Sequence, residues 1–300
     1  MLVKSKRIEA NATMDRTLSK NEAKVVLDFE WREQKTVTLA DLRDALGASE
    51  EYARYVAHRL VRKGWLERLR PGLFQFIPAD RGREAIADTN PLLAGAALLR
   101  PYFFSFGTAC THHGLTEQVF AEVYIACRQR RRQEVIRGTR YVFPYMSEHR
   151  FFGFKEALVL GATVQMATPE RALLDALDRP RYAGGLAEVS MMVGRSMKEL
   201  SSDGLADMVE RWGESALAQR LGYFADLHGV ELQPALRAVL ERLVRPGGKV
   251  LLGPRGRWGT TGPLIRAWNI IENLPRDVLI EKGHERRRRV RFDGEPGRDR

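Results

Sequence analysis

The sequence predicts an α+β protein. An N-terminal winged helix-turn-helix is followed by a mixed α/β domain whose second half is rich in helices. Three observations carry this. Three short amphipathic helical patterns precede residue 64, each with its own start signal. Two runs that alternate apolar and polar residues then flank Pro71-Gly72. Beyond residue 90, strand-like runs give way at Thr168 to a series of helical patterns.

The first helix is predicted over LSKNEAKVVLDFEWRE. Ser19 is the expected N-cap and Glu22 stands three residues on, which is the capping-box spacing. Ala23, Val26, Leu27 and Trp31 are expected to form its inner stripe. TLADLRDALG predicts a second helix, capped by Thr38 with Asp41 three residues later and stopped at Gly47. The third helix starts after Ser49. Its acids Glu50 and Glu51 lie in the first turn, where the helix dipole favours negative charge. Ala53, Val56, Ala57, Leu60 and Val61 mark its core face, and Gly64 closes it. WLERLR and LFQFIP read as half-buried strands joined by the Pro71-Gly72 turn.

Residues 1 to about 17 are polar and are expected to be loosely attached. A boundary is predicted in the polar stretch ADRGREAIADTN, giving a DNA-binding domain over residues 1–88 and a mixed α/β domain over 89–280. In the latter, PLLAGAALLR reads as a helix and FAEVYIAC, RYVFPY and LGATVQM read as strands. TPERALLDAL, GLAEVSMMVG, GLADMVERWG, ESALAQRLGYFADLHG and QPALRAVLERLV read as helices. KVLLGP and PLIRAWNII read as two further strands. The basic segment 281–300 has almost no apolar content and is expected to be disordered.

The net charge of +11, from 49 Lys and Arg against 38 Asp and Glu, favours a polyanionic partner such as nucleic acid. No apolar run approaches roughly 18 residues, so no membrane span is expected. The N-terminus lacks the apolar core of a signal peptide, which fits a cytoplasmic protein. Cys110 and Cys127 sit in apolar runs without zinc-ligand spacing, so buried thiols are expected in preference to one disulfide.

A helix laid in the major groove presents its outer, N-terminal residues to base edges. Those are Ser49, Tyr52, Arg54, Tyr55 and Arg59, with Arg68 and Arg70 on the wing. The structural alternative is a three-helix docking module with an ordinary solvated face. Arg128, Arg130, Arg131 and Arg132 mark a possible second basic surface, or else a solvated loop with no interleaved aromatics. His112 and His113 precede Gly114 and read as a helix C-terminus, not a metal or acid–base pair. Asp175 and Asp178 lie three residues apart on one helix among Arg171, Arg179 and Arg181, which favours salt bridges over a metal site. No phosphate-binding loop, nucleophile–base pair, cofactor motif or metal set is legible, so no enzymatic activity is expected.

LVRKGWLERLRPGLF, HHGLT and TPERALLDALDRPRYAGG together resemble the AbiEi-type antitoxins of type IV toxin–antitoxin systems. The resemblance covers residues 20 to 195 and loosens over the last hundred. It implies a bifunctional protein. Its winged module would repress its own promoter by binding repeats, and its second domain would counter a nucleotidyltransferase-like toxin without a stable complex. Carried over by motif, DNA reading falls on Ser49 to Arg59 and Arg68 to Gly72. Two alternatives stand beside this. One is a winged-helix regulator whose second domain senses a ligand or partner; the other is a nucleic-acid-processing enzyme with a winged targeting domain.

Overall fold

The computed structural model describes residues 16–84, 90–245 and 247–280. The expectations for residues 1–15 and for the tail 281–300 lie outside these. The chain divides into two compact units. The first comprises the chain up to Arg100 together with Glu134–Thr139 and Leu158–Val164. The second comprises Pro101–Gln133, Arg140–Ala157 and the chain from Gln165 onward.

In the first unit the order is α1 (Lys20–Trp31), β1 (Thr36–Thr38), α2 (Leu39–Leu46), α3 (Glu50–Arg62), β2 (Leu66–Arg70), β3 (Leu73–Phe76) and α4 (Pro91–Ala96). Strand β1 was not expected from the sequence. It is three residues long, too short for a period-two signal, and it exists because β3 offers it an antiparallel edge. The three strands run in the order β1-β3-β2, with β2 and β3 antiparallel. Val25, Phe29, Val37, Leu42, Val56, Leu60 and Phe76 form one buried cluster, in which Phe29 meets Phe76 edge-on at 5.8 Å between ring centroids.

Helix α1 turns a different face inward from the one its apolar pattern suggested. Glu22, Val25, Val26 and Phe29 are buried, whereas Leu27 and Trp31 are 66% and 87% exposed. The charged Glu22 can be buried because its partners come with it. Its carboxylate accepts from the Ser19 amide at 2.7 Å and from Lys63 Nζ at 2.6 Å, and it pairs with Arg59 Nε at 2.8 Å. Arg16 also departs from the loose attachment expected of the first 17 residues. Its guanidinium lies 3.8 Å over the Trp65 ring and donates to the carbonyls of Ile77, Pro78 and Gly82. The Trp65 indole donates back to the Arg16 carbonyl at 3.1 Å.

The second unit begins with β4 (Tyr102–Phe104), α5 (Phe106–His112), β5 (Glu122–Cys127), β6 (Glu134–Ile136), β7 (Thr139–Val142), β8 (Phe154–Val159) and β9 (Ala162–Ala167). Of these, β6 and the turn between β8 and β9 fall within the segments grouped with the first unit. Strand β4 pairs antiparallel with β5 and parallel with β9, and β5 pairs parallel with β7. Both hairpin turns hold two residues at positive φ, Arg137 with Gly138 and Leu160 with Gly161. That is the pattern whose twist matches paired strands.

Five helices follow: α6 (Pro169–Asp178), α7 (Leu186–Ser196), α8 (Ser202–Trp212), α9 (Ser215–Leu227) and α10 (Pro234–Leu243). A small sheet closes the unit, with β10 (Val250–Leu251), α11 (Arg255–Trp258), β11 (Leu264–Ile265), β12 (Ile270–Ile271) and α12 (Asp277–Ile280). The single strand expected in PLIRAWNII is thus two strands, β11 and β12, and β12 lies between β10 and β11.

Thr168 caps α6 by accepting from the Arg171 amide, and Pro169 occupies its first turn. Leu173, Leu174 and Leu177 are buried, as their spacing indicates. So are Arg171 and Asp175, which pair at 3.0 Å with neither side chain exposed. Ser105 also donates to Asp175, and Arg171 donates to the Phe152 carbonyl at 2.9 Å. The Arg171 guanidinium faces Trp212 at 4.6 Å and Phe152 at 4.7 Å. Asp178 pairs with Arg179 at 3.1 Å and Arg150 at 3.7 Å.

His112 and His113 stand at the end of α5, and Gly114 takes a positive φ of 69°. His113 meets the Ala167 carbonyl at 2.7 Å, a partner on β9 and not on its own helix. Among the described residues no helix is long and apolar enough to cross a membrane.

Candidate nucleic-acid interface

The geometry of the winged module starts from its caps. Gly47 ends α2 in the left-handed region, with φ 62°, and turns the chain. Ser49 then caps α3, its hydroxyl accepting from the Tyr52 amide at 3.3 Å. Three residues between helices, Gly47 to Ser49, suffice because each end is locally satisfied. Ala53, Val56, Ala57 and Leu60 bury one face of α3. The opposite face carries Glu51, Tyr55, His58 and Arg62, all exposed and spaced at helical intervals, with Tyr52 and Arg54 beside them.

The predicted reading residues differ in how firmly they are held. The Tyr52 hydroxyl accepts from Asn21 at 2.9 Å, and its ring lies 6.0 Å from that of Tyr55. Among the described residues Arg54 pairs with the exposed Glu50, one turn back, at 2.5 Å. Such an exposed pair is worth little and opens readily. Arg59 is anchored inward: it donates to the Tyr55 hydroxyl at 3.1 Å and pairs with buried Glu22. Burial alone would raise the Glu22 pKa. The bonds from Lys63 and Ser19 outweigh it and hold the carboxyl below its usual range.

The wing is divided in the same way. Gly72 takes φ 76°, the left-handed value a Pro-Gly turn needs there. The Gly72 carbonyl accepts from the Leu39 amide at 3.0 Å, which fixes the turn to the start of α2. The β2–β3 register slips between Arg68 and Arg70, so the two arginines do not share an environment. Arg68 is exposed, 5.9 Å over the Phe74 ring. Arg70 is half-buried, donates to the Leu98 carbonyl at 2.9 Å and lies 3.8 Å from Glu134. The structure therefore gathers Tyr52, Arg54 and Tyr55 on one open helix face with Arg68 loose on the wing. Ser49, Arg59 and Arg70 are engaged in holding the module together.

His58 and Arg62, which were not among the predicted reading residues, belong to the same open face. Their spacing from Tyr55 was the available signal. In the second unit, Arg128 pairs with Glu148 at 3.0 Å. Arg130 lies 5.2 Å over the Tyr145 ring and Arg131 4.9 Å over the Phe143 ring, while Arg132 is exposed. The fold thus brings aromatic rings to a basic run that has none in sequence. Among the described residues no group of three or more His, Cys, Asp or Glu could hold a metal ion.

The helix, capped turn, helix and ribbon together occupy a stretch that also matches a known family model. Residues 25–77 match the AbiEi antitoxin transcriptional regulators. The match runs from the first buried valine of α1 to just past β3, so it covers the winged module. It supports a DNA-binding regulator of the antitoxin class. No curated protein matches the chain. Among solved structures, the chain is similar in fold to the RV2827C protein from Mycobacterium tuberculosis. The TM-score is 0.60 at 19% identity, over 89% of this chain and 96% of that one. The likeness in fold extends well beyond residues 25–77.

Proposed function

We propose that this protein is the antitoxin and autorepressor of a type IV toxin–antitoxin system, acting in the cytoplasm. In this reading the winged module, residues 1–88, binds repeats in its own promoter. The domain over 89–280 counters a nucleotidyltransferase-like toxin without forming a stable complex with it and without catalysis of its own. The observation that carries the reading is the AbiEi family match over a module whose third helix leaves Tyr52, Arg54 and Tyr55 on an open face. Tyr52, Arg54, Tyr55 and Arg68 contact DNA; Ser49, Arg59 and Arg70 set the helix and wing that present them. Arg128, Arg130, Arg131 and Arg132 offer a second surface to a phosphate chain.

The test uses the full chain. Arg68→Ala is expected to weaken binding to promoter and random duplex alike, and to lower the slope of log K against log salt by about 0.9. Arg54→Ala is expected to cost about 1–3 kcal/mol, mainly on the promoter site. Equal losses on both duplexes for Arg54→Ala would remove its base-reading role. A Tyr55→Ala, Arg68→Ala double variant should lose promoter repression and still rescue growth during toxin induction. Loss of rescue in a well-expressed double variant would show that neutralisation depends on DNA binding and would overturn the division of labour.

A further inference from the structure

We propose that the second unit binds a nucleoside triphosphate in a cavity between the α6–α7 corner and the small C-terminal sheet. The base lies against Trp258, and the phosphates are held at Arg181, Arg220 and Arg257. Nothing in the antitoxin reading requires this site, and its failure would leave that reading intact.

The cavity has a volume of about 690 Å³, within the range of small-molecule sites. One wall is apolar, from Leu251, Leu252, Leu274 and Val278, and includes the Trp258 indole. Gly253 makes room for that indole, since a Cβ there would come within 2.9 Å of it. The other wall is cationic. Arg179, Arg181, Arg220 and Arg257 face one carboxylate, Asp178, which Arg179 and Arg150 already neutralise. Arg179 also donates to the Tyr145 carbonyl.

Arg220 is the telling member. It donates to the Leu177 carbonyl at 3.2 Å, yet its Nε is buried with no acceptor among the described residues. Burial pushes its pKa down, and the nearby Asp178 carboxylate offsets this only in part. A guanidinium placed this way is best satisfied by an anion, and phosphate matches its geometry. Arg257 and Arg181 are exposed at the rim, over the rings of Trp258 and Tyr182.

The chain between them adds fixed donors. Gly184 and Gly185 take positive φ values of 84° and 90° and lead into α7, whose N-cap glycine has no side chain to offer. The amides of Leu186 and Ala187 therefore open α7 without a side-chain acceptor, at a wall of the cavity. Such amides complement phosphate. A bare anion would leave the indole and leucine wall wet; an uncharged aromatic ligand would leave the Arg220 Nε without an acceptor. A nucleotide satisfies both.

Calorimetry and thermal melting of the full chain with ATP, GTP, pyrophosphate and adenosine test this. ATP or GTP should bind and raise the melting temperature. Pyrophosphate and adenosine should each bind at least tenfold more weakly, each lacking one half of the ligand. Arg257→Ala and Arg220→Lys should each weaken nucleotide binding by roughly tenfold. Trp258→Leu should weaken nucleotide binding and leave pyrophosphate binding unchanged. Arg257 is exposed, so that variant carries the test if Arg220→Lys does not fold. The proposal is overturned if neither nucleotide binds at millimolar concentration, or if pyrophosphate or adenosine binds as tightly as the nucleotides. Unchanged nucleotide affinity in the folded variants also overturns it, because the nucleotide then sits on another basic surface.

Discussion

Arg171→Ala is expected to lower the unfolding free energy by about 3–5 kcal/mol, the range for removing one partner of a buried ion pair. Neither Arg171 nor Asp175 reaches solvent. Removing the guanidinium leaves the Asp175 carboxylate with Ser105 as its remaining donor. It also deprives the Phe152 carbonyl of its donor and opens space against Phe152 and Trp212. The surroundings cannot easily collapse into that space. Gly153 approaches so closely that a Cβ on it would sit 3.2 Å from the Arg171 stem, with φ already at 74°. Asp175→Asn should cost less. Burial pushes the Asp175 pKa up despite Arg171, so the site already disfavours the charge that the substitution removes. Denaturant unfolding of both variants decides the matter. A loss under about 1 kcal/mol for Arg171→Ala would mean that water or a shifted side chain replaces the guanidinium.

Glu22→Gln is expected to cost about 2–3 kcal/mol in the winged module, from a weakened capping box and two cations left with a neutral partner. The effect should depend on pH with a definite sign. The folded pKa of Glu22 lies below the unfolded value of about 4.3. Its charge therefore stabilises the fold above that value, and the contribution is lost as pH falls through the folded pKa. The gap in melting temperature between wild type and Glu22→Gln should be full near neutrality and shrink below about pH 4. A gap that stays constant down to pH 3 would show that the substitution acts through shape and not through charge.

The winged module was largely legible because its elements announce themselves locally. Ser19, Thr38 and Ser49 start helices where the structure starts them, and Pro71-Gly72 turns the ribbon. The inner face of α1 was not legible. Two apolar stripes lie side by side on that helix, and only its neighbours decide between them. Lys63 and Arg59 draw Glu22 inward, which leaves Leu27 and Trp31 outside. In the second unit the helix sequence from Thr168 was readable from caps and periodicity. The pairing of Phe104 with Met166 joins residues far apart in the chain, and no local pattern encodes it.

The candidate interface was half legible. Helical spacing placed Tyr52, Arg54 and Tyr55 outward, but nothing in the sequence told that Arg59 and Arg70 would be tied to Glu22 and Leu98. The rings beneath Arg130 and Arg131 arrive from 143 and 145, beyond the β6–β7 hairpin. The cavity at Arg220 is assembled from four separate stretches of chain, and so was invisible to motif reading.

Both cysteines are free and buried, and burial raises the pKa of each thiol. Reactivity belongs to the thiolate, so the folded chain should be nearly inert to maleimides at neutral pH. A single cysteine introduced on the open face of α3, at His58 for example, would then be the one reactive sulfur in an otherwise unaltered protein. Fluorophores, spin labels or DNA-cleaving reagents could be mounted there without first stripping the native thiols, and the position of that helix along a duplex read directly.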